Sequence, residues 1–115
     1  MIICSTKMLE GILYTLVEKT DCSAKVKLLP ESPIYAAHFP GYPITPGVTL
    51  VQMALECMGM KMTGAKDIKF LIPVIPTAEG LILTYEWEVS DDGTASIQAI
   101  LPSGELCAKM SVTLE

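Results

Sequence analysis

The sequence contains no arginine and only one histidine, and these two absences exclude several kinds of site. Without arginine the chain lacks the side chain that clamps phosphates and carboxylates through two hydrogen bonds, and a net charge of −5 disfavours nucleic acid as a partner. The four cysteines form no C-x-x-C pair, and one histidine cannot complete a Cys/His zinc set. We therefore expect no metal, no cofactor and no nucleic acid.

Long apolar runs, repeats and linkers are also missing. Gln52, Glu56 and Lys61 interrupt the longest apolar stretch before it reaches the roughly 20 residues of a membrane-spanning helix. The first residues, MIICSTKMLEG, contain no basic region followed by an apolar block, so we expect no signal peptide and a cytoplasmic location. A length of 115 residues, of which 50% are hydrophobic, predicts one domain over 1–115 with its own core.

Strand patterns flank a central helical segment. Alternating or β-rich runs bounded by turn residues predict a hairpin first and then a set of four antiparallel strands. The predicted strands are 9–19 and 23–29, then 67–75, 78–90, 94–101 and 105–114.

The segment between the two groups of strands reads as one long helix. Thr45 suits the N-cap and Pro46 the first helical position, so the helix is predicted from Pro46 to about Met62, with Thr63 and Gly64 ending it. It is apolar almost all round, which is typical of a buried helix. The pattern predicts an α+β fold in which a curved antiparallel sheet wraps around one long central helix, about 46–62.

One narrow polar stripe runs along this helix. At the helical repeat, Thr49, Gln52 and Glu56 fall within about 60° of one another. Buried polar groups need partners, so the stripe is predicted to face a ligand, a subunit or a water-filled cleft.

The stretch before the helix carries a family signature. HFPGYPITPGV closely resembles the HFPG-x-P-x-x-PGV motif of the 3-hydroxyacyl-(acyl carrier protein) dehydratases, and FLIPVIPTAE is similar to their F-x-x-PV-x-PG-D segment. The resemblance implies the hotdog fold and at least a homodimer, with a higher oligomer or a heterodimer with a paralogue as alternatives. It also implies acyl thioester substrates, carried by acyl carrier protein or coenzyme A.

The resemblance assigns roles to matching positions. His38 corresponds to the base that removes the C2 proton of the 3-hydroxyacyl thioester. Gly47 and Val48 begin the helix, where N–H groups and the positive end of the helix dipole can hold the thioester oxygen. The further residues expected on the substrate side are Phe39, Thr49 and Met53.

The sequence departs from the family at the catalytic acid. The acid lies fourteen residues after the histidine, on the helix of the other subunit, and this chain has Gln52 there. Glutamine can bind a hydroxyl group but cannot deliver a proton in the usual pH range. Glu56 follows one turn later, about 6 Å along the axis, and is the alternative acid.

A second departure concerns the carrier protein. The family has basic residues in the F-x-x-PV segment, where this chain has Leu71 and Ile72. Lys61, Lys66 and Lys69 lie just upstream, and they either bind an acidic carrier or only solvate the end of the helix and the next strand.

Three functions follow from these patterns. The first is a 3-hydroxyacyl thioester dehydratase of fatty-acid or related acyl-chain biosynthesis, a hydro-lyase whose competence depends on Gln52. The second is a non-catalytic or partner-dependent hotdog subunit that binds acyl thioesters. The third is an acyl thioesterase in which Glu56 activates water.

Overall fold

The computed structural model describes residues 8–37 and 43–115. Its described part has two strands, two helices and four further strands, in an α+β arrangement. The elements are β1 (Tyr14–Lys19), β2 (Ser23–Leu28), α1 (Pro33–Ala37), α2 (Gly47–Met58), β3 (Met62–Phe70), β4 (Ile82–Val89), β5 (Thr94–Ile100) and β6 (Leu106–Leu114). The strands form one antiparallel sheet in the order β1-β2-β4-β5-β6-β3.

One face of the sheet forms the core. In β2, Val26 and Leu28 are buried while Lys25 and Lys27 between them are exposed. The register pairs Val26 with Leu83 of β4, which is also fully buried, so the inward positions of neighbouring strands coincide. This alternation is the pattern of a sheet with one face on the core and one face in water.

Helix α2 lies in that core. All nine residues from Leu50 to Met58 are buried, so the helix is covered on every side over its last nine residues. The hydroxyl of Tyr85, on β4, donates a 2.7 Å hydrogen bond to the carbonyl oxygen of Leu50 and ties the sheet to the helix. The predicted buried central helix is therefore confirmed.

The predicted C-terminal end of this helix is wrong. The helix ends at Met58, and Gly59 takes the left-handed conformation with φ of 69°. The N–H groups of Gly59 and Met60 both donate to the carbonyl oxygen of Leu55, which is a glycine-based helix stop. The chain then enters β3 at Met62, and the apolar side chains on both sides of the stop made the two elements look like one.

The predicted helix N-cap and several strand bounds also change. Pro46, not Thr45, occupies the N-cap position, because the Thr45 hydroxyl is paired with the Tyr35 hydroxyl at 2.9 Å. Strand β3 stops at Phe70, and the following segment, with Pro73 and Pro76, forms no strand because proline offers no N–H to a sheet.

Within residues 8–37 and 43–115, no helix is long and apolar enough to cross a membrane.

Candidate active site

Helix α2 begins at Gly47, with Pro46 in the N-cap position. No side-chain hydrogen bond caps the helix within the described residues. The Thr49 hydroxyl donates to the carbonyl oxygen of Pro46 at 2.6 Å, and the Thr45 hydroxyl is held by Tyr35. The first N–H groups of a helix have no acceptor inside it, so those of Gly47 and Val48 are directed outward as donors. Together with the helix dipole, they suit an oxygen that carries negative charge.

An apolar groove lies directly beside this helix end. It has a volume of about 290 Å³ and is bounded by the first turn of α2 and the segment after β3. Its walls are mainly aliphatic and aromatic, which suits an acyl chain rather than a polar ligand. The lining residues are Ile44, Thr45, Gly47, Leu50, Phe70, Leu71, Ile72, Pro73 and Val74. A larger depression of about 400 Å³, near Ser23, Glu86 and Gln98 on the outer face of the sheet, is more polar.

The groove depends on a close contact between Gly47 and Phe70. A Cβ atom added at Gly47 would lie 2.6 Å from Cε2 and Cζ of the Phe70 ring, so only glycine permits this approach. Phe70 is nevertheless 52% exposed, and Val48 and Leu71 beside it are each 53% exposed. Val48 follows Gly47 and Leu71 follows Phe70 in the chain, so exposed apolar side chains flank the contact between Gly47 and Phe70. Such sets mark binding surfaces more often than single exposed residues do.

The C-terminal half of the polar stripe is closed. Glu56 has no exposed surface, although it is a carboxylic acid. Its Oε1 accepts hydrogen bonds from the Glu10 N–H at 3.2 Å and the Tyr14 hydroxyl at 2.9 Å, and its Oε2 accepts one from Gln52 Nε2 at 2.9 Å. The Leu9 N–H contacts both oxygens, at 3.2 and 3.1 Å. Glu56 therefore anchors the segment before β1 to the helix.

Tyr14 is the residue that completes this cluster. Burial raises the pKa of its hydroxyl above the usual range, and the hydrogen bond to Glu56 raises it further, because a phenolate beside a carboxylate is unfavourable. Tyr14 thus remains a neutral donor over the physiological pH range. The sequence analysis did not find this role, since an aromatic residue in a strand gives no signal that its hydroxyl meets a helix across the core.

The structure separates the predicted site residues into three groups. Gly47, Val48 and Thr49 lie at the open helix end, and Gln52, which is 9% exposed, lies between that end and Glu56. Met53 is fully buried in the core of the single chain. His38 and Phe39 lie outside the described residues.

The three predicted carrier-binding lysines are exposed and lie at different points along β3 and just before it. Lys61 follows the C-terminal end of α2, and its carbonyl oxygen accepts a hydrogen bond from the Glu115 N–H. Lys69 precedes Phe70, whose ring contacts the opposite end of the same helix, and its Nζ lies 3.8 Å from Asp67. Lys66 lies between them on β3. Hydrogen bonds from Thr94 lower the pKa of the Asp92 carboxyl group, and the charge of Lys66 lowers it to a smaller extent.

The arrangement of sheet and helix is found in several solved structures. A hypothetical thioesterase of Streptococcus pneumoniae, solved with coenzyme A, matches with a TM-score of 0.53 and 14% identity over 89% of this chain and 85% of that one. A thioesterase of Haemophilus influenzae matches with a TM-score of 0.57 and 12% identity over 95% and 82%. A hypothetical protein of Staphylococcus aureus gives 0.56 and 10% over 94% and 98%. At these identities the likeness concerns the fold alone, and the predicted hotdog fold is confirmed.

The sequence comparisons give the family within this fold. The family model described as ApeI dehydratase matches residues 15–109, which is most of the chain, and the protein belongs to the ApeI-like dehydratase family. A 3-hydroxyacyl-[acyl-carrier-protein] dehydratase of Zymomonas mobilis is 37% identical over 71 residues, covering 49% of this chain and 43% of that protein. The match thus spans less than half the length of this curated relative. The predicted resemblance to the hotdog dehydratases is confirmed.

Proposed function

We propose that this protein is a dehydratase of 3-hydroxyacyl thioesters, which removes water to give the 2-enoyl thioester. The observation that carries the proposal is the N-terminus of α2, which no described side chain caps, beside an apolar groove. That pairing offers donors for a thioester oxygen and a wall for the acyl chain within one site. Membership in the ApeI-like dehydratase family supports the same reaction class.

The proposed reaction divides between two residues and the helix end. His38 removes the proton at C2, and the negative charge moves onto the thioester oxygen as the enolate forms. The N–H groups of Gly47 and Val48 stabilise that oxygen because they are already oriented before the charge develops. The enolate then expels the hydroxyl group from C3, which leaves as water with the proton that His38 took from C2. Gln52 binds this hydroxyl but does not supply the proton.

The proposed partners are the carrier of the acyl chain and a second subunit. Acyl carrier protein and coenzyme A are both suitable carriers; the Zymomonas relative is named for the former, and the Streptococcus structure contains the latter. Strand β3 is an edge of the sheet, so its outer backbone groups offer hydrogen bonds to another chain. We propose a homodimer in which each subunit completes the other's site, in fatty-acid or related acyl-chain biosynthesis.

A direct assay tests this function. Purified protein is supplied with 3-hydroxyacyl thioesters of several chain lengths, on carrier protein and on coenzyme A, and formation of the conjugated enoyl thioester is followed by absorbance. We expect turnover that His38→Ala abolishes while the fold is retained, judged by circular dichroism. If the wild-type protein is inert on every substrate, the proposal fails for the homodimer.

The departure at Gln52 supports a second candidate, a subunit that works only with a paralogue carrying the acid. Co-expression with candidate paralogues from the source genome, followed by assay of the purified complex, tests this possibility. Turnover that appears only in the mixed complex would favour it, and turnover by a stable homodimer would exclude it.

The thioesterase alternative finds less support. It requires Glu56 to activate a water molecule, and Glu56 is fully buried with both oxygens already accepting hydrogen bonds. Release of free thiol from an acyl thioester, lost in Glu56→Gln and retained in His38→Ala, would reverse this preference.

A further inference from the structure

The apolar groove beside the start of α2 has one polar side chain in its wall, and that side chain is bound from outside the groove. Of the nine described lining residues, only Thr45 carries a polar side chain. Its hydroxyl forms a 2.9 Å hydrogen bond with the hydroxyl of Tyr35 on α1, which does not line the groove. We propose that Tyr35 is a positioning residue that holds the Thr45 hydroxyl out of the groove, so that the groove accepts a hydrocarbon chain and rejects a chain with polar atoms beyond the reacting carbons. The inference rests on the proposed function in one respect, since it takes the acyl chain of a thioester as the occupant of the groove.

The two hydroxyl groups are bound to each other inside the protein. Thr45 is 3% exposed and Tyr35 is 5% exposed. A buried hydroxyl without a partner costs free energy, so each of the two groups holds the other in place. The backbone of Thr45 is fixed as well, because its N–H donates to the carbonyl oxygen of Val74 at 2.8 Å.

The backbone donors of the facing wall are also used within the protein. The N–H groups of Leu71 and Ile72 both donate to the carbonyl oxygen of Cys107 on β6, at 2.8 and 3.3 Å. Pro73, the next residue in this wall, has no N–H group. The donors offered to a ligand are then those at the start of α2, which no described side chain caps, and the wall beyond them is apolar.

An apolar wall selects a chain through the hydrogen bonds that it does not offer. Each methylene group that leaves water for such a surface contributes about 4-fold in affinity. An ether or hydroxyl oxygen in the chain instead gives up its hydrogen bonds to water and finds no donor in the groove. Releasing the Thr45 hydroxyl would supply that donor, so Tyr35 determines the chemistry of the accepted chain without touching it.

Double substitution tests the hydroxyl pair without any ligand. Tyr35→Phe and Thr45→Val each remove one hydroxyl at nearly unchanged shape and leave the other buried without this partner. We expect each variant to raise the unfolding equilibrium constant, measured by urea denaturation, about 10-fold. The double variant leaves neither hydroxyl behind and should also raise it about 10-fold or less. An increase of about 100-fold, the product of two independent losses, would overturn the inference.

Binding measurements test the selection of the chain. Calorimetry compares octanoyl-coenzyme A with analogues in which an ether oxygen replaces the methylene group at C5, C6 or C7. We expect the wild type to bind octanoyl-coenzyme A about 10-fold more tightly than the analogues, because the ether oxygen is desolvated without a donor. In Tyr35→Phe the released Thr45 hydroxyl can donate to this oxygen, and the preference should fall to about 3-fold or less for at least one analogue.

Thr45→Val is the matched control, because it breaks the same hydrogen bond but leaves no hydroxyl in the wall. It should keep the wild-type preference, and adding Thr45→Val to Tyr35→Phe should restore that preference. A preference that Tyr35→Phe retains for every analogue, or that Thr45→Val loses equally, would overturn the inference, since the pair would then have only a structural role. Turnover of 3-hydroxyoctanoyl-coenzyme A, followed in parallel, separates this inference from the proposed function. The expected binding pattern without turnover would support the inference while the dehydratase proposal fails, and turnover without the pattern would do the reverse.

Discussion

The two ends of the polar stripe on α2 are built in opposite ways. At the N-terminal end, the helix lacks a side-chain cap within the described residues, and Val48, Phe70 and Leu71 around it are each more than half exposed. Toward the C-terminal end, Glu56 is fully buried and accepts hydrogen bonds from three different segments of the described chain. We propose that one end leaves its polar groups for a ligand, whereas the other uses them to hold the protein together.

This difference explains how one stripe serves two purposes. Polar groups on a buried helix must find partners, and the partners can come from the protein or from a substrate. At Glu56 the partners are internal, so substitution there should act mainly on stability. At Gly47 the partners are left to a ligand, so substitution there should act mainly on activity. Gln52 lies between the two and donates a hydrogen bond to Glu56.

The largest expected effect is the loss of stability in Glu56→Ala. The substitution leaves the Tyr14 hydroxyl and Gln52 Nε2 without this acceptor inside the protein, together with the backbone donors of Leu9 and Glu10. Buried donors without partners are costly, and we expect a decrease in the free energy of unfolding of about 3 kcal/mol or more, measured by urea denaturation. Glu88→Ala, at an exposed position on β4, is the control and should change it by about 0.5 kcal/mol or less. Equal decreases in the two variants would contradict the claim that the hydrogen bonds of Glu56 stabilise the fold.

Gly47→Ala should instead reduce activity more than stability. The new Cβ atom would meet the Phe70 ring at 2.6 Å, so the ring must move and the groove beside the open helix end must change shape. We expect kcat/KM for 3-hydroxyacyl thioesters to decrease about 10-fold or more, since small displacements of a binding site cost much of its rate. Gly64→Ala on β3 is the matched control, because nothing lies within 4 Å of a Cβ atom added there. If both alanines reduce activity equally, the contact with Phe70 has no functional meaning.

Tyr14→Phe should have a smaller effect that depends on pH. Burial and Glu56 raise the pKa of Tyr14 in the folded protein, and burial also raises those of Tyr35 and Tyr85. In the unfolded chain these hydroxyls ionise near pH 10, so their contribution to stability is full below about pH 10 and is lost as pH rises further. We expect the variant to lose about 1 kcal/mol at pH 7, the value of one hydrogen bond.

The difference in unfolding free energy between Tyr14→Phe and the wild type should become smaller at high pH. Because it lacks the Tyr14 hydroxyl, which ionises on unfolding in this pH range, its decrease in unfolding free energy between pH 9 and 11 should be about 1 kcal/mol smaller than that of the wild type. Denaturation curves at the two pH values measure this difference. Parallel decreases in both proteins would mean that Tyr14 ionises as easily in the folded protein as in the unfolded one.

The sequence was sufficient for the fold and for the buried helix with its polar positions, and insufficient for the partners of Glu56. Apolar periodicity revealed the buried helix, and its polar exceptions marked Thr49, Gln52 and Glu56 before any coordinates were known. It could not tell which of these is closed off inside the protein, because three of the residues that donate to Glu56 lie 42 to 47 positions away in the chain. It also extended the helix past Gly59, since one glycine between apolar methionines is a weak signal compared with its left-handed conformation in the fold.

The smallest expected effect is on the KM for carrier-linked substrate. It concerns Lys69 and Lys61, which are exposed lysines near opposite ends of α2. A helix of 12 residues separates Lys69, next to Phe70, from Lys61, beyond the helix stop. That length is about 18 Å, more than the distance over which exposed charges act at physiological salt.

If an acidic carrier delivers the thioester to the open end, Lys69→Ala should raise KM for carrier-linked substrate about 3-fold while KM for coenzyme A thioesters stays unchanged, since one exposed charge contributes little. Lys61→Ala should leave both values unchanged, and the effect of Lys69→Ala should disappear at high salt because the attraction is screened. A larger effect at Lys61 than at Lys69 would mean that the carrier binds at the closed end of the helix, and the assignment of the two ends would then have to be reversed.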